Sequence, residues 1–154
     1  MATVYSVQKT SWDQTIPSKK IKPSEAGGRV RVAYALYEAS SLSSGDVIEM
    51  FNLPSGARVL EGTLTHDAMA SSTTLSVGHA AYKNAAGTTV ALDADEFFAA
   101  AASTAITTVA VAVTSALGRN SVIDADSTGY PVTVTMGGAA GTGTVELQML
   151  YVVD

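Results

Sequence analysis

The sequence predicts an all-β protein, a sandwich or barrel of about nine short strands, and three observations carry that expectation. Apolar residues recur at every second position through much of the chain, as in Val30, Val32, Tyr34 and Leu36 alternating with Arg29, Arg31, Ala33 and Ala35, the period of a half-buried strand. The periodic runs are short and end in Gly, Ser or Pro turns such as Ser43-Ser44-Gly45 and Leu53-Pro54-Ser55-Gly56. The 154 residues are 47% hydrophobic and 15% charged. A typical domain is about 25% charged, so this chain has to bury a core or associate, and wholesale disorder is excluded.

In chain order, the first segment stands apart. Residues 1–31 hold Lys9, Lys19, Lys20, Lys22, Arg29 and Arg31 against Asp13 and Glu25, a net +4, while the rest carries three cations against twelve carboxylates, a net −9. Between Val7 and Val30 the large apolar residues are Trp12, Ile16 and Ile21, set among Pro17, Pro23 and polar residues, with Gly27-Gly28 as a hinge. We expect residues 1–28 to form an extended basic N-terminal arm ordered by contact with an acidic partner, and residues 29–154 to form the body. Strands are predicted from residue 29 to about residue 38, then over 46–53, 58–66, 74–80, 88–92, 107–114, 121–124, 131–136 and 144–153. One short helix is predicted over 93–103: Asp93 can cap it, Glu96 follows at capping-box spacing, and Phe97, Phe98 and four alanines come next.

Most chemistry is thin or missing. With no cysteine there is no disulfide, thiolate metal site or thiol nucleophile. The two histidines, His66 and His79, each fall at the end of a predicted strand and read as hydrogen-bonded structural residues rather than metal ligands. No G-x-S-x-G elbow selects a nucleophilic serine. Asp124-Ala-Asp126-Ser-Thr128-Gly129 opens like a calcium loop but has Thr135 where the bidentate Glu belongs, so an Asp-rich turn is expected. Gly137-Gly138-Ala-Ala-Gly141-Thr-Gly143 lacks the Lys-Ser/Thr ending of a phosphate loop and reads as a flexible hairpin loop. Residues 97–118 run uncharged for the length of a membrane span, yet they are mostly Ala, Ser and Thr and alternate like a strand from residue 107, so no span is expected. Residues 1–8 lack the basic and apolar regions of a secretory signal. The acidic body disfavours nucleic acid. No cofactor and no metal are expected.

Several segments in order resemble a known family: Gly28-Arg-Val-Arg-Val-Ala-Tyr-Ala, then Ser44-Gly-Asp-Val-Ile-Glu-Met-Phe, Leu53-Pro-Ser-Gly-Ala-Arg-Val-Leu60, Thr73-Thr-Leu-Ser-Val-Gly78 and the ending Leu150-Tyr-Val-Val-Asp154. They look like the small virion structural proteins of tailed bacteriophages, of the head decoration or cement type. The resemblance covers the body from about residue 28 onward. It implies a jelly-roll-like β-sandwich, a homotrimer on the outer surface of the capsid, and no catalytic residues. The expected partners are the major capsid protein and other copies of the chain, in a virion assembled in the host cytoplasm.

On this reading Lys9, Trp12, Ile16, Lys19, Lys20 and Lys22 form the capsid-binding arm, with Trp12 and Ile16 as anchors. Val109, Val111 and Val113, on an uncharged strand, are expected to form an apolar face buried between copies, which also accounts for a mean hydropathy of +0.23. Two other classes remain: a head-fibre or glycan-binding module, which would expose aromatic platforms, and a hydrolase.

Overall fold

Two four-stranded antiparallel sheets pack into a sandwich in the computed structural model, which describes residues 4–23, 26–112 and 122–153. The strands are β1 (Val30–Leu42), β2 (Val47–Leu53), β3 (Arg58–His66), β4 (Thr73–His79), β5 (Tyr82–Lys83), β6 (Thr89–Val90), β7 (Asp93–Ala102), β8 (Thr107–Val111), β9 (Tyr130–Gly138) and β10 (Gly141–Val152). One sheet has the order β1-β10-β3-β8 and the other β2-β9-β4-β7, while β5 and β6 pair as a small separate hairpin. Successive strands of the sandwich alternate between sheets except β4 and β7, which pair within one sheet, the double Greek key order of a jelly roll. The predicted fold class is the one observed.

The core lies between the sheets and follows from the two-residue period. In β10, Val145, Leu147 and Met149 are fully buried while Glu146, Gln148 and Leu150 between them are half-buried. Leu147 lies opposite Ala35 of β1 and Leu64 of β3. Leu53, Leu75, Val77, Val132, Val134 and Met136 fill the same layer from the other sheet.

Strand β1 alternates as predicted, but with the larger side chains outward. Val30, Val32, Tyr34 and Leu36 are exposed, and the alanines Ala33 and Ala39 pack inward. Small residues suffice there because Leu147 and Met149 of the neighbouring β10 already fill the layer, and a close-packed interior leaves no room for a second set of large side chains.

The helix predicted over 93–103 is instead the edge strand β7. Its capping chemistry is real, for Asp93 Oδ1 accepts from the Asp95 amide at 3.0 Å, but the bond closes a bulge rather than a helical turn. Between Val77↔Phe98 and His79↔Asp93 the register shifts, so the residues after Asp93 loop over Gly78 of β4. Phe97 then turns into the core. Alanine favours helix, but an isolated helix shorter than about 12 residues is marginal, and pairing with β4 satisfies a ladder of backbone groups that a helix would leave open.

Two further differences are local. The glycine-rich stretch is not a hairpin loop: β9 and β10 belong to different sheets, and Ala139-Ala140 carries the chain across the sandwich edge. Gly138 makes this corner possible at φ 78°, where a β-carbon would collide with the Ser72 carbonyl oxygen, so a side chain would have no room. Of the strands predicted over 88–92 and 121–124, the first shrinks to β6 and the second to a single bridge between Arg58 and Val122. Among the described residues no helix is long and apolar enough to cross a membrane.

Asp67 fastens the start of β10. Its carboxylate accepts from the Thr144 amide at 2.9 Å while its own amide donates to the Thr144 carbonyl at 3.0 Å. The Thr144 hydrogen bonds hold this carboxyl below the usual carboxylate range. A folded value below the unfolded value of about 3.9 contributes stability that is complete above pH 4 and is lost as pH falls through the folded value. Asp67→Asn should therefore lower the melting temperature at pH 7, and the gap to the wild type should narrow in melts recorded near pH 3.

Candidate functional site

The segment before β1 is built unlike the body: none of its described residues is buried. Its helix α1 (Val7–Trp12) starts at Ser6, whose Oγ accepts from the Lys9 amide at 3.1 Å, and Lys9 Nζ reaches Asp13 one turn later at 2.6 Å. A 3-10 turn (Pro17–Lys19) follows, begun by the fixed φ of Pro17. The segment is thus less extended than the sequence suggests, because a serine cap and an i,i+4 ion pair close one short helix.

Within it Trp12 is 61% exposed and Ile16 48%. Exposing an indole and a β-branched side chain within five residues of each other leaves apolar surface that water solvates poorly. Lys19, Lys20 and Lys22 are exposed. Among the described residues the sole ion pair is Lys9 with Asp13, so these three lysines keep their charges free while Lys9 is engaged inside its own helix. Two anchors and three free cations thus sit on one stretch of about ten residues, a composition suited to an acidic surface with apolar pockets.

The expected oligomer face is corrected. Val111 is 0% exposed and belongs to the core, and Val109 packs against that core opposite Leu64, so the inward side of β8 is consumed within the chain. Val113 lies outside the described residues. An uncharged strand looks the same from sequence whether its partner is the opposite sheet or another copy. The exposed apolar surface that sequence reasoning missed is the outer face of β1, Val30, Val32, Tyr34 and Leu36. The one signal for it was the alternating Ala33, Ala35 and Ala39, too small to be the outward half of a strand whose other half is Val, Tyr and Leu.

The remaining candidates resolve as local structure. His66 Nδ1 donates to the Asp67 carbonyl at 2.8 Å and His79 Nδ1 to the Ala80 carbonyl at 2.9 Å, and the two rings sit on different sheets. Asp126 Oδ1 accepts from both the amide and the hydroxyl of Thr128, bonds that hold its carboxyl below the usual range, and Asp124 Oδ1 accepts from the Ala85 amide at 3.3 Å. These carboxylates tie turns together. Among the described residues no group of three or more His, Asp or Glu is placed to hold a metal ion. Chelator should leave the melting temperature unchanged, because only a ligand bound to the folded state raises apparent stability; a fall of several degrees in EDTA would restore Asp124 and Asp126 as calcium ligands.

No protein-family model matches the chain, and no curated protein matches it by sequence. Its fold recurs in solved phage capsids. A chain from the capsid of Ralstonia phage GP4 is similar over 82% of this chain and 86% of its own length, with 25% identity and a TM-score of 0.60. A chain from the capsid asymmetric unit of cyanophage Pam1 is similar over the same shares, with 22% identity and a TM-score of 0.58. The likeness to the Ralstonia phage chain supports a structural protein of a phage virion.

Proposed function

We propose that the chain is a non-enzymatic capsid decoration protein, a homotrimer that binds the outer surface of a phage head and clamps neighbouring subunits of the major capsid protein. The observation that carries this reading is the segment of residues 1–28: none of its described residues is buried, Trp12 and Ile16 are exposed, and Lys19, Lys20 and Lys22 have no ion-pair partner among the described residues beside an acidic body. A rigid jelly roll with such an arm suits a cement, which resists internal pressure by many repeated contacts rather than by a reactive pocket, and contacts made by linked copies reinforce one another.

Self-association draws on the outer face of β1 in place of the inward side of β8. Val32, Tyr34 and Leu36 lie on an edge strand whose far side pairs with no other strand of the described residues. An exposed edge with an apolar face is a site for pairing with a second chain. Light scattering at micromolar concentration should give three chain masses for the wild type and a smaller species for Val32→Lys/Leu36→Lys; a monomeric wild type would remove the trimer.

The direct test is addition of the purified protein to expanded phage heads that lack it, followed by sedimentation. Saturable, stoichiometric binding with raised head stability to heat is expected. Binding to host envelope with none to heads would instead favour a receptor-binding role.

A further inference from the structure

An open cavity of about 250 Å³ lies where the end of β4, the short β5, the bulge of β7 and the approach to β9 meet. Four rings form much of its wall: His79, Tyr82, Phe97 and Tyr130. Ring centroids are 5.2 Å apart for His79 and Tyr82, 4.8 Å for Tyr130 with each of these two, and 6.0 Å for Phe97 and Tyr130. Glu96 and Asp124 complete the polar lining, and no lining side chain is Lys or Arg.

Two polar groups of this wall open onto the cavity. His79 and Tyr130 are each 6% exposed. Nδ1 of His79 donates to the Ala80 carbonyl, while Nε2 and Tyr130 Oη have no hydrogen-bond partner among the described residues and are left to the open cavity. Burial first and Glu96 second push the Tyr130 hydroxyl up, and burial with Asp124 and Glu96 does the same to Tyr82, so both remain protonated in a negative local field.

We infer that this cavity is a binding site for an alkylammonium group of about the size of a lysine side chain. The lining offers acceptors in excess: two carboxylates, the imidazole Nε2 and the phenolic oxygens, against an ammonium's three donors. Ring faces add cation–π attraction, which strengthens where water is excluded. The volume decides against larger ligands, since pockets for drug-sized molecules run from about 300 to 1,000 Å³. Geometry decides against a neutral sugar, because the rings lean on one another at 50° to 78° instead of presenting a flat platform. Two sources share this chemistry: a lysine from the basic segment of a second copy, where Lys19, Lys20 and Lys22 stand unpaired, or a free alkylamine. The inference needs no capsid and stands or falls separately from the decoration role.

The full-length protein is titrated with n-butylammonium and, as a neutral isostere, with n-butanol, following the His79 ring signals by NMR; the chain has two histidines, which keeps assignment simple. Saturable shifts with butylammonium are expected, at least about tenfold weaker for butanol and at least about tenfold weaker for butylammonium on Glu96→Gln/Asp124→Asn. Tyr130→Phe, nearly isosteric, should also weaken binding and serves if the double variant does not fold. Equal binding of butanol, unsaturable shifts, or undiminished affinity in the variants would overturn the site. A synthetic peptide of residues 16–23 and free putrescine then separate the sources: tighter binding of the peptide assigns the site to a second copy's arm, and tighter binding of putrescine to a small amine.

Discussion

Deletion of residues 2–27 is expected to yield a folded oligomer that no longer decorates heads. The fold half of this result follows from burial: α1 and the turn after it contribute no buried residue, so the core from Ala39 to Val152 loses nothing and the melting temperature should stay within about 2 °C. The binding half follows from the anchors. Aromatic side chains seated in a partner's pocket commonly contribute about 2 kcal/mol or more each, so Trp12→Ala alone should weaken capsid binding about thirtyfold and the deletion should abolish it. Reversing Lys19, Lys20 and Lys22 to Glu should weaken binding most at low salt, where screening is least. Lys9→Glu should act differently, by breaking the Lys9–Asp13 pair and loosening α1 itself. Full occupancy by the truncated body would move the binding surface onto the acidic sandwich and make the arm a bystander.

Strands whose burial follows their own period were legible in the sequence. Residues 58–66 were assigned to the residue, and 144–153 to within three residues of the observed start, because Val145, Leu147 and Met149 recur at every second position and, with Val59 and Leu64, lie on the face turned to the opposite sheet. What could not be read was which side of a strand meets which partner. The large residues of β1 face out because the long side chains of β10 fill the layer beneath, and Val111 faces in toward the opposite sheet; both facts depend on strands elsewhere in the chain. The arm could be recognised by composition alone, since its charge and scarcity of apolar residues do not depend on any tertiary partner. The ring cavity could not, because its residues come from β4, β5, β7 and the start of β9, and nothing in their spacing links Phe97 to Tyr130.

Gly78→Ala is expected to cost the body heavily, and it bears directly on the residues misread as helix. A β-carbon at Gly78 would collide with the carbonyl oxygen of Asp93 and lie 2.8 Å from the Asp95 nitrogen, both main-chain atoms of the β7 bulge. A side-chain tip could swing aside; a bulge held by the Asp93–Asp95 bond and anchored by buried Phe97 cannot move without opening the β4–β7 ladder. Overpacking of this kind costs about 3 kcal/mol or more, which at about 2–4 °C per kcal/mol lowers the melting temperature by roughly 6–12 °C. Gly137→Ala is the matched control, because the added carbon there meets chiefly the Thr74 hydroxyl, which can rotate away, and a loss of less than about 1 kcal/mol is expected. If residues 93–103 formed a helix, no main chain would lie over Gly78, and alanine in that strand would be neutral or mildly stabilising by reducing the freedom of the unfolded chain. Calorimetric melts of the two variants therefore separate the alternatives: an unchanged melting temperature for Gly78→Ala would remove the β7 bulge from this position, and a large loss confined to Gly78 would fix it there.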